Sequence, residues 1–319
     1  MRQRILTDCH IHAMALPSKN SLKYKNIVKK SFIRNLSYRY ISNYHGLNLN
    51  DIDFNEKYFM LINDQIGQSR FAKNGIVFGL DGVYDTRGNL DELKTDFMIA
   101  NDYVYDSIRR KKNLLFGASI NPARKDAIRE LEKAAARKAA LIKVLPNTQG
   151  FAPDNKNFKK FYKLLAQKNI PLLTHSGFEF ALRPLNQSYG HPDRFRMALD
   201  EGVTLIAAHG CSGGLIFFEP YKKIILNLIA RYPNFYLDIS ALTLLTRSGI
   251  IPFLQSHPAI KDRLLFGTDF PLPVFLYPFY FRINRNRKNI IKQEKNYFDR
   301  YALLFQELGL IGQKPPLRF

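Results

Sequence analysis

Cysteine is scarce in this chain. There are two, Cys9 and Cys211, in 319 residues. A disulfide framework is not needed for a core of this size. Cys9 sits beside a histidine and Cys211 lies two positions after another, so both thiols can lie near one site. Two ordinary buried thiols are the simpler alternative. Long apolar runs are missing as well. No stretch approaches the roughly 18 apolar residues that a membrane span needs. The opening MRQRILTDCHIHA has two arginines, no long apolar run and no small-residue cleavage site. That argues against a signal peptide and makes the cytoplasm the expected location. Acids are in short supply: 27 Asp+Glu against 48 Lys+Arg, a net charge of +21. Such an excess points to an anionic partner, which can be an acidic small molecule, nucleic acid or a membrane surface. Helices carrying solvated cations are the plainer explanation. No Gly-rich phosphate loop follows the first β-rich run, as an open doubly wound sheet usually requires.

What is present is a repeating order. Hydrophobic residues make up 46% of the chain, enough for a large core. Eight short apolar runs recur: ILTDCHIH (5–12), GIVFGLD (75–81), LLFGASIN (114–121), ALIKVLP (140–146), IPLLTHSG (170–177), VTLIAAHG (203–210), FYLDISA (235–241) and RLLFGTDF (263–270). Polar segments of helical pattern lie between most of them, such as 127–140 and 158–168. Near-continuous apolar runs are the mark of parallel strands buried on both faces. Eight strand–helix alternations predict an α/β fold of the (β/α)8 barrel type in one domain spanning 1–319. The spacing is uneven after strand one. Residues 13–74, rich in Tyr, Lys and Asn, are expected to form an insertion capping the C-terminal face, and a shorter extension follows strand eight through about residue 292.

In such a barrel the catalytic groups stand at the C-terminal ends of strands. Strand one ends in His10-Ile11-His12. Strand side chains alternate faces, so both imidazoles can enter the barrel mouth while Ile11 and Cys9 face the helices. Strand five ends in His175, strand six in His209 and strand eight in Asp269. Each alone is weak: HxH recurs by chance, and a lone strand-end histidine is usually a satisfied polar residue. Together they place four of the seven histidines and one Asp at strand ends. Gathering five costly polar groups without a function is the harder reading. Imidazole and carboxylate suit a divalent transition metal, most simply Zn²⁺, with room left for a water. Such an ion lowers the pKa of that water to about 7. Asp269 is the candidate to take the proton, and His209 to polarise the substrate or stabilise an oxyanion. Lys143 lies inside strand four, where a lysine is costly unless paired or used. It can be carboxylated to bridge two metals, pair with an acid such as Asp269, bind a substrate carboxylate, or snorkel outward.

The stretches DCHIH (8–12), IKVLPNTQGFAPDN (142–155), IPLLTHSG (170–177), AAHG (207–210) and LLFGTDFP (264–271) follow one another across almost the whole barrel. In this order the sequence resembles the amidohydrolase superfamily, particularly the amidohydrolase-related branch with its aminocarboxymuconate-semialdehyde decarboxylase-like enzymes. The resemblance implies a distorted barrel and a metal held by His10, His12, His175 and Asp269, with His209 close by as a catalytic or extra metal residue. It also implies a single metal as the usual case, whereas a carboxylated lysine at the Lys143 position marks two-metal relatives. Segment 13–74 and the tail after Pro271 match nothing in the branch.

The basic residues cluster. From Cys9 to Asn50 there is no acid, but there are Lys19, Lys23, Lys25, Lys29, Lys30, Arg34 and Arg39; between Asp269 and Glu294 there are Arg282, Arg285, Arg287, Lys288 and Lys292. Barrel closure makes strands one and eight neighbours, so both stretches should meet on the catalytic face. Tyr24, Phe32, Tyr38 and Tyr40 interleave with the first, which keeps nucleic acid and membrane phosphates in view. The expected activity is metal-dependent hydrolysis of a C–N or C–O bond (amide, lactone or ester) in a small anionic compound. Non-oxidative decarboxylation at the same site is the alternative, and a homodimer built on the insertion is possible.

Overall fold

The computed structural model describes residues 6–16, 23–29, 32–216, 218–311 and 319, with the side chains of 32–34 left aside. Eight short parallel strands close a barrel. They are β1 (Leu6–His12), β2 (Ala72–Phe78), β3 (Leu114–Phe116, resuming at Ala118–Ser119), β4 (Ile142–Val144), β5 (Leu172–Thr174), β6 (Leu205–Ala207), β7 (Phe235–Asp238) and β8 (Leu264–Leu265). Neighbours pair in order, as in Gly75↔Leu114, Ala118↔Ile142, Ile142↔Leu172, Leu172↔Leu205, Leu205↔Phe235 and Leu237↔Leu264. Past the end of β8, the Asp269 N–H donates to His10 O at 2.9 Å and the His12 N–H to Phe270 O at 2.8 Å, closing the ring against β1. The Phe270–Pro271 peptide is cis. A small antiparallel pair, Ile27–Val28 with Phe97–Met98, lies outside the barrel.

The strands bury both faces, as their apolar runs require. Cys9, Ile76, Phe78, Leu141, Leu173, Ile206, Ala208 and Leu265 fill the lumen. Residues of opposite parity, such as Ile142, Leu172, Leu205 and Leu237, join the core under the helices. The helical patterns form where expected, at Ala127–Ala136 and Lys159–Gln167. The first ends four residues before Ala140, because Lys138 turns the chain at φ 56° to feed β4. Among the described residues no helix is long and apolar enough to cross a membrane.

Three expectations need correction. Cys9 faces the lumen, not the helices. The cause is a register shift between Asp8 and Ile11, where three steps along β1 (Asp8 to Ile11) match two along β2 (Gly75 to Val77). That bulge turns Cys9 and His10 to the same side. Ile11 does face the helix shell, and so does Cys211, so the two free thiols lie on opposite sides of the barrel wall. Second, the stretch 13–74 is not all insertion. Phe54–Gln68 is a helix that buries Phe54, Tyr58, Phe59, Ile62 and Ile66, the ordinary barrel helix between β1 and β2. Third, Lys143 does not snorkel outward: it is 1% exposed. The segment before that helix reaches the loop after β8, where His45 Nε2 lies 2.8 Å from Pro271 O and Val274 N–H donates to Tyr44 Oη at 3.2 Å. The two acid-poor stretches therefore do meet; Lys19 and Lys30 lie outside the described residues.

Candidate metal centre

His10, His12 and Asp269 converge at the C-terminal mouth. Their donor atoms form a near-equilateral triangle: His10 Nε2 to His12 Nε2 3.3 Å, His10 Nε2 to Asp269 Oδ1 3.3 Å, and His12 Nε2 to Asp269 Oδ1 3.0 Å. Ligands about 2.0–2.2 Å from one ion, at tetrahedral to octahedral angles, stand about 3.0–3.5 Å apart. The triangle fits that spacing. His10 and Asp269 are buried, while the His12 side chain is 31% exposed and opens the site to solvent.

The orientation of His10 is fixed from behind. Its Nδ1–H donates to Asp238 Oδ2 at 2.7 Å, which leaves the Nε2 lone pair facing the mouth. Carboxylate–imidazole pairs of this kind support metal ligands. Asp238 also accepts from Ser240 Oγ at 2.5 Å and from the His209 N–H at 2.7 Å. Burial works against its ionisation, but His10 and Ser240 outweigh it and hold the carboxyl below its usual range. Asp269 behaves likewise: burial is opposed by His10, His12 and Lys143, and the group stays ionised. His10, His209 and Asp238 form a second set of donor atoms within 4.8 Å of one another. There the His10 and Asp238 atoms are already bonded to each other, so the first set is the better ion site.

A chain of imidazoles runs on from the triangle. Ser240 Oγ gives its hydrogen to Asp238, so it accepts from His209 Nδ1–H at 2.9 Å. His209 Nε2 then accepts from His175 Nδ1–H at 3.2 Å, and His175 Nε2 accepts from Arg247 Nη2 at 3.3 Å. The network assigns these tautomers. Burial pushes the pKa of both His175 and His209 well down, with Arg247 adding to it, so both rings are neutral. His209 Nδ1 lies 4.0 Å from Asp269 Oδ2. His175 is brought to the site but not into the donor triangle; its Nε2 faces Arg247 and, at 3.5 Å, Glu179 Oε2. Lys143 Nζ stands 3.2 Å from His10 Nε2, and burial lowers its pKa to about 8.

The backbone carries strain here. Among the described residues six non-glycines have positive φ; two of them are His209 (61°) and Asp269 (64°), and Cys211 and Ala241 flank the site. Each such residue costs on the order of 1–3 kcal/mol and persists only where its surroundings hold it. β8 ends at Leu265, well short of the expected 270. Four site residues escaped the sequence reading: Asp238, Ser240, Glu179 and Arg247. Asp238 lies inside the seventh apolar run and ends the strand Phe235–Asp238, where the strand-end rule applies to it. Arg247 sits in the single helical turn Leu245–Ser248, with no pattern to mark it.

The family model for amidohydrolases matches residues 7–287. Among solved structures, an uncharacterised TIM-barrel protein from Bordetella bronchiseptica aligns with a TM-score of 0.57 at 17% identity, over 96% of this chain and 99% of its own. IDCase from Metarhizium anisopliae in its apo form gives 0.49 at 16% identity, over 97% and 98%. A 5-carboxyvanillate decarboxylase from Novosphingobium aromaticivorans with bound manganese gives 0.48 at 12%, over 93% and 94%. No curated protein matches. The first alignment agrees with the barrel traced here, and the family model spans seven of its strands in full together with most of β1, so the chain belongs to the amidohydrolase family.

Proposed function

We propose that this protein is a metal-dependent hydrolase that cleaves a C–N or C–O bond, in an amide, lactone or ester, of a small anionic compound. The observation that carries this reading is the triangle of His10 Nε2, His12 Nε2 and Asp269 Oδ1, backed by the Asp238 bond to His10. A donor set of imidazole and carboxylate suits one Zn²⁺ or a similar ion, which supplies Lewis acidity and water activated at neutral pH. His175 is kept as the fourth-ligand candidate; to bind an ion its ring would have to exchange the Nδ1–H bond to His209 or the Arg247 bond to Nε2 for the metal. Asp269, ionised and at the mouth, accepts a proton and passes it to the leaving group. His209, 4.0 Å from Asp269, would polarise the substrate through the Nδ1–H that it otherwise gives to Ser240. Lys143 stays an amine and meets the substrate's negative charge. The segment before Phe54 walls the entrance through its contacts with Pro271 and Val274.

Non-oxidative decarboxylation is the second reading. Lys143, buried beside His10, would hold a carboxylate next to the ion. That reaction needs Asp269 or His209 to protonate a carbanion. Neither group has a proton placed to give, since Asp269 is a carboxylate facing His10 and His12 and the His209 Nδ1–H is bonded to Ser240, so hydrolysis is put first. The test is turnover of a panel of small acidic amides, lactones and esters, and of carboxylated analogues, before and after chelation. The proposal expects activity lost to the chelator, restored by Zn²⁺, and solvent oxygen found in the product. Release of CO₂ without solvent oxygen selects the decarboxylase. Full turnover by Asp269→Asn contradicts both.

A further inference from the structure

Against the Nε2 of His175 stands the guanidinium of Arg247, which makes no ion pair among the described residues. Arg247 belongs to the helical turn Leu245–Ser248 that follows β7 and is 6% exposed. Its hydrogen-bond partners are Phe178 O at 3.0 Å, Ser176 O and Ser212 O both at 3.4 Å, and His175 Nε2 at 3.3 Å. All four are neutral, and three lie beyond the 2.7–3.2 Å of a good N–H···O bond. Among the described residues no carboxylate comes within the 4.0 Å of an ion pair. Four acids feel its charge from further off, Glu179, Asp269, Glu219 and Asp238, and each is bonded to other groups. Glu179 Oε1 accepts from the Ala181 and Leu182 N–H groups at 2.6 and 2.8 Å, and Glu219 from Ser212 Oγ and the Gly213 N–H at 2.7 and 2.8 Å. A half-buried arginine elsewhere is paired: Arg124 meets Asp126 at 2.6 Å and Asp81 at 3.2 Å. An arginine is charged at any ordinary pH, and burying that charge unpaired is expensive. Gly214 passes alongside, where a Cβ would sit 3.7 Å from the Arg247 Cζ and Nη2 atoms. The glycine leaves that side of the guanidinium without a side chain.

We infer that Arg247 is the anion anchor of this site, taking a carboxylate of the ligand in a forked pair. The planar fork of a guanidinium matches a carboxylate in geometry and charge. The anchor and the donor triangle are joined through His175 and His209 by contacts of 3.3, 3.2 and 4.0 Å. A ligand reaching both is thus a small organic acid that carries its carboxylate at the end away from the reacting bond. The inference deepens the proposed hydrolase reading and rests on it only in treating the bound acid as substrate.

The experiment is calorimetric titration with benzoate, a small aryl acid with no scissile bond, and with benzamide as its uncharged counterpart. Wild type, Arg247→Gln and Arg247→Lys are titrated, each as purified and after chelation. The inference expects benzoate, and not benzamide, to bind wild type with or without metal. It expects Arg247→Gln to weaken benzoate about tenfold or more and Arg247→Lys to weaken it severalfold, the lysine keeping charge but losing the fork. Equal benzoate affinity in wild type and either variant overturns it, as does wild type that binds no benzoate. If Arg247→Gln fails to fold, the lysine variant decides alone. Benzoate binding that vanishes on chelation and ignores Arg247 places the anion on the metal, which overturns the anchor and leaves the hydrolase reading standing. Binding that survives chelation and depends on Arg247 upholds the anchor even if no hydrolysis is found.

Discussion

Asp238 decides what His10 can do. By taking the Nδ1–H at 2.7 Å it leaves one lone pair on Nε2, and that lone pair faces Asp269 and His12. An amide in its place can present an N–H to Nδ1, which moves the imidazole hydrogen to Nε2 and blinds the ligand. Asp238→Asn is nearly isosteric, so the barrel should still form. The expected result is metal affinity weakened about 10–100-fold, read by competition with a chromophoric chelator. Unchanged affinity would mean that His10 is oriented by something other than Asp238. The five strand-end residues His10, His12, His175, His209 and Asp269 were legible because each ends an apolar run. Asp238, at the end of its strand, was legible by the same rule and overlooked. Ser240 and Arg247 were not, since nothing in a local pattern says that a residue past the strand will fold back across three strands.

At the scale of elements, the strands were visible because burial on both faces leaves continuous apolar runs. Their ends were not visible. His209 and Asp269 leave the ladder through left-handed turns that no propensity announces. The helix Phe54–Gln68 went unread for another reason. Its buried face, Phe54, Tyr58, Phe59, Ile62 and Ile66, has helical spacing, but it follows about forty residues of Tyr-, Lys- and Asn-rich chain and was merged with them. The helix also crowds β2, where a Cβ on Gly75 would come 2.3 Å from Ile66 Cδ1. If it is part of the barrel shell, Ile62→Ala, at a fully buried position, should cost about 2–5 kcal/mol in denaturant unfolding. A loss near zero would show that 54–68 is a detachable cap after all.

For the whole molecule, the +21 charge is spread over two kinds of cation. Surface cations of the basic stretches pair with acids from elsewhere, as Lys25 does with Glu92 at 2.7 Å and Arg287 with Glu307 at 3.3 Å. Such exposed pairs contribute on the order of 0–1 kcal/mol each. The cations buried at the site, Lys143 and Arg247, lie in neither stretch. Net charge therefore pointed towards an anionic ligand without saying which residues would meet it. The account as a whole rests on an ion at His10, His12 and Asp269. The most direct test is elemental analysis of the purified protein beside the double variant His10→Ala/His12→Ala. The account predicts about one equivalent of Zn, Mn or Fe in wild type, as expected of three converging donors, and a marked loss in the variant. A wild type that holds no metal even after supplementation would contradict it.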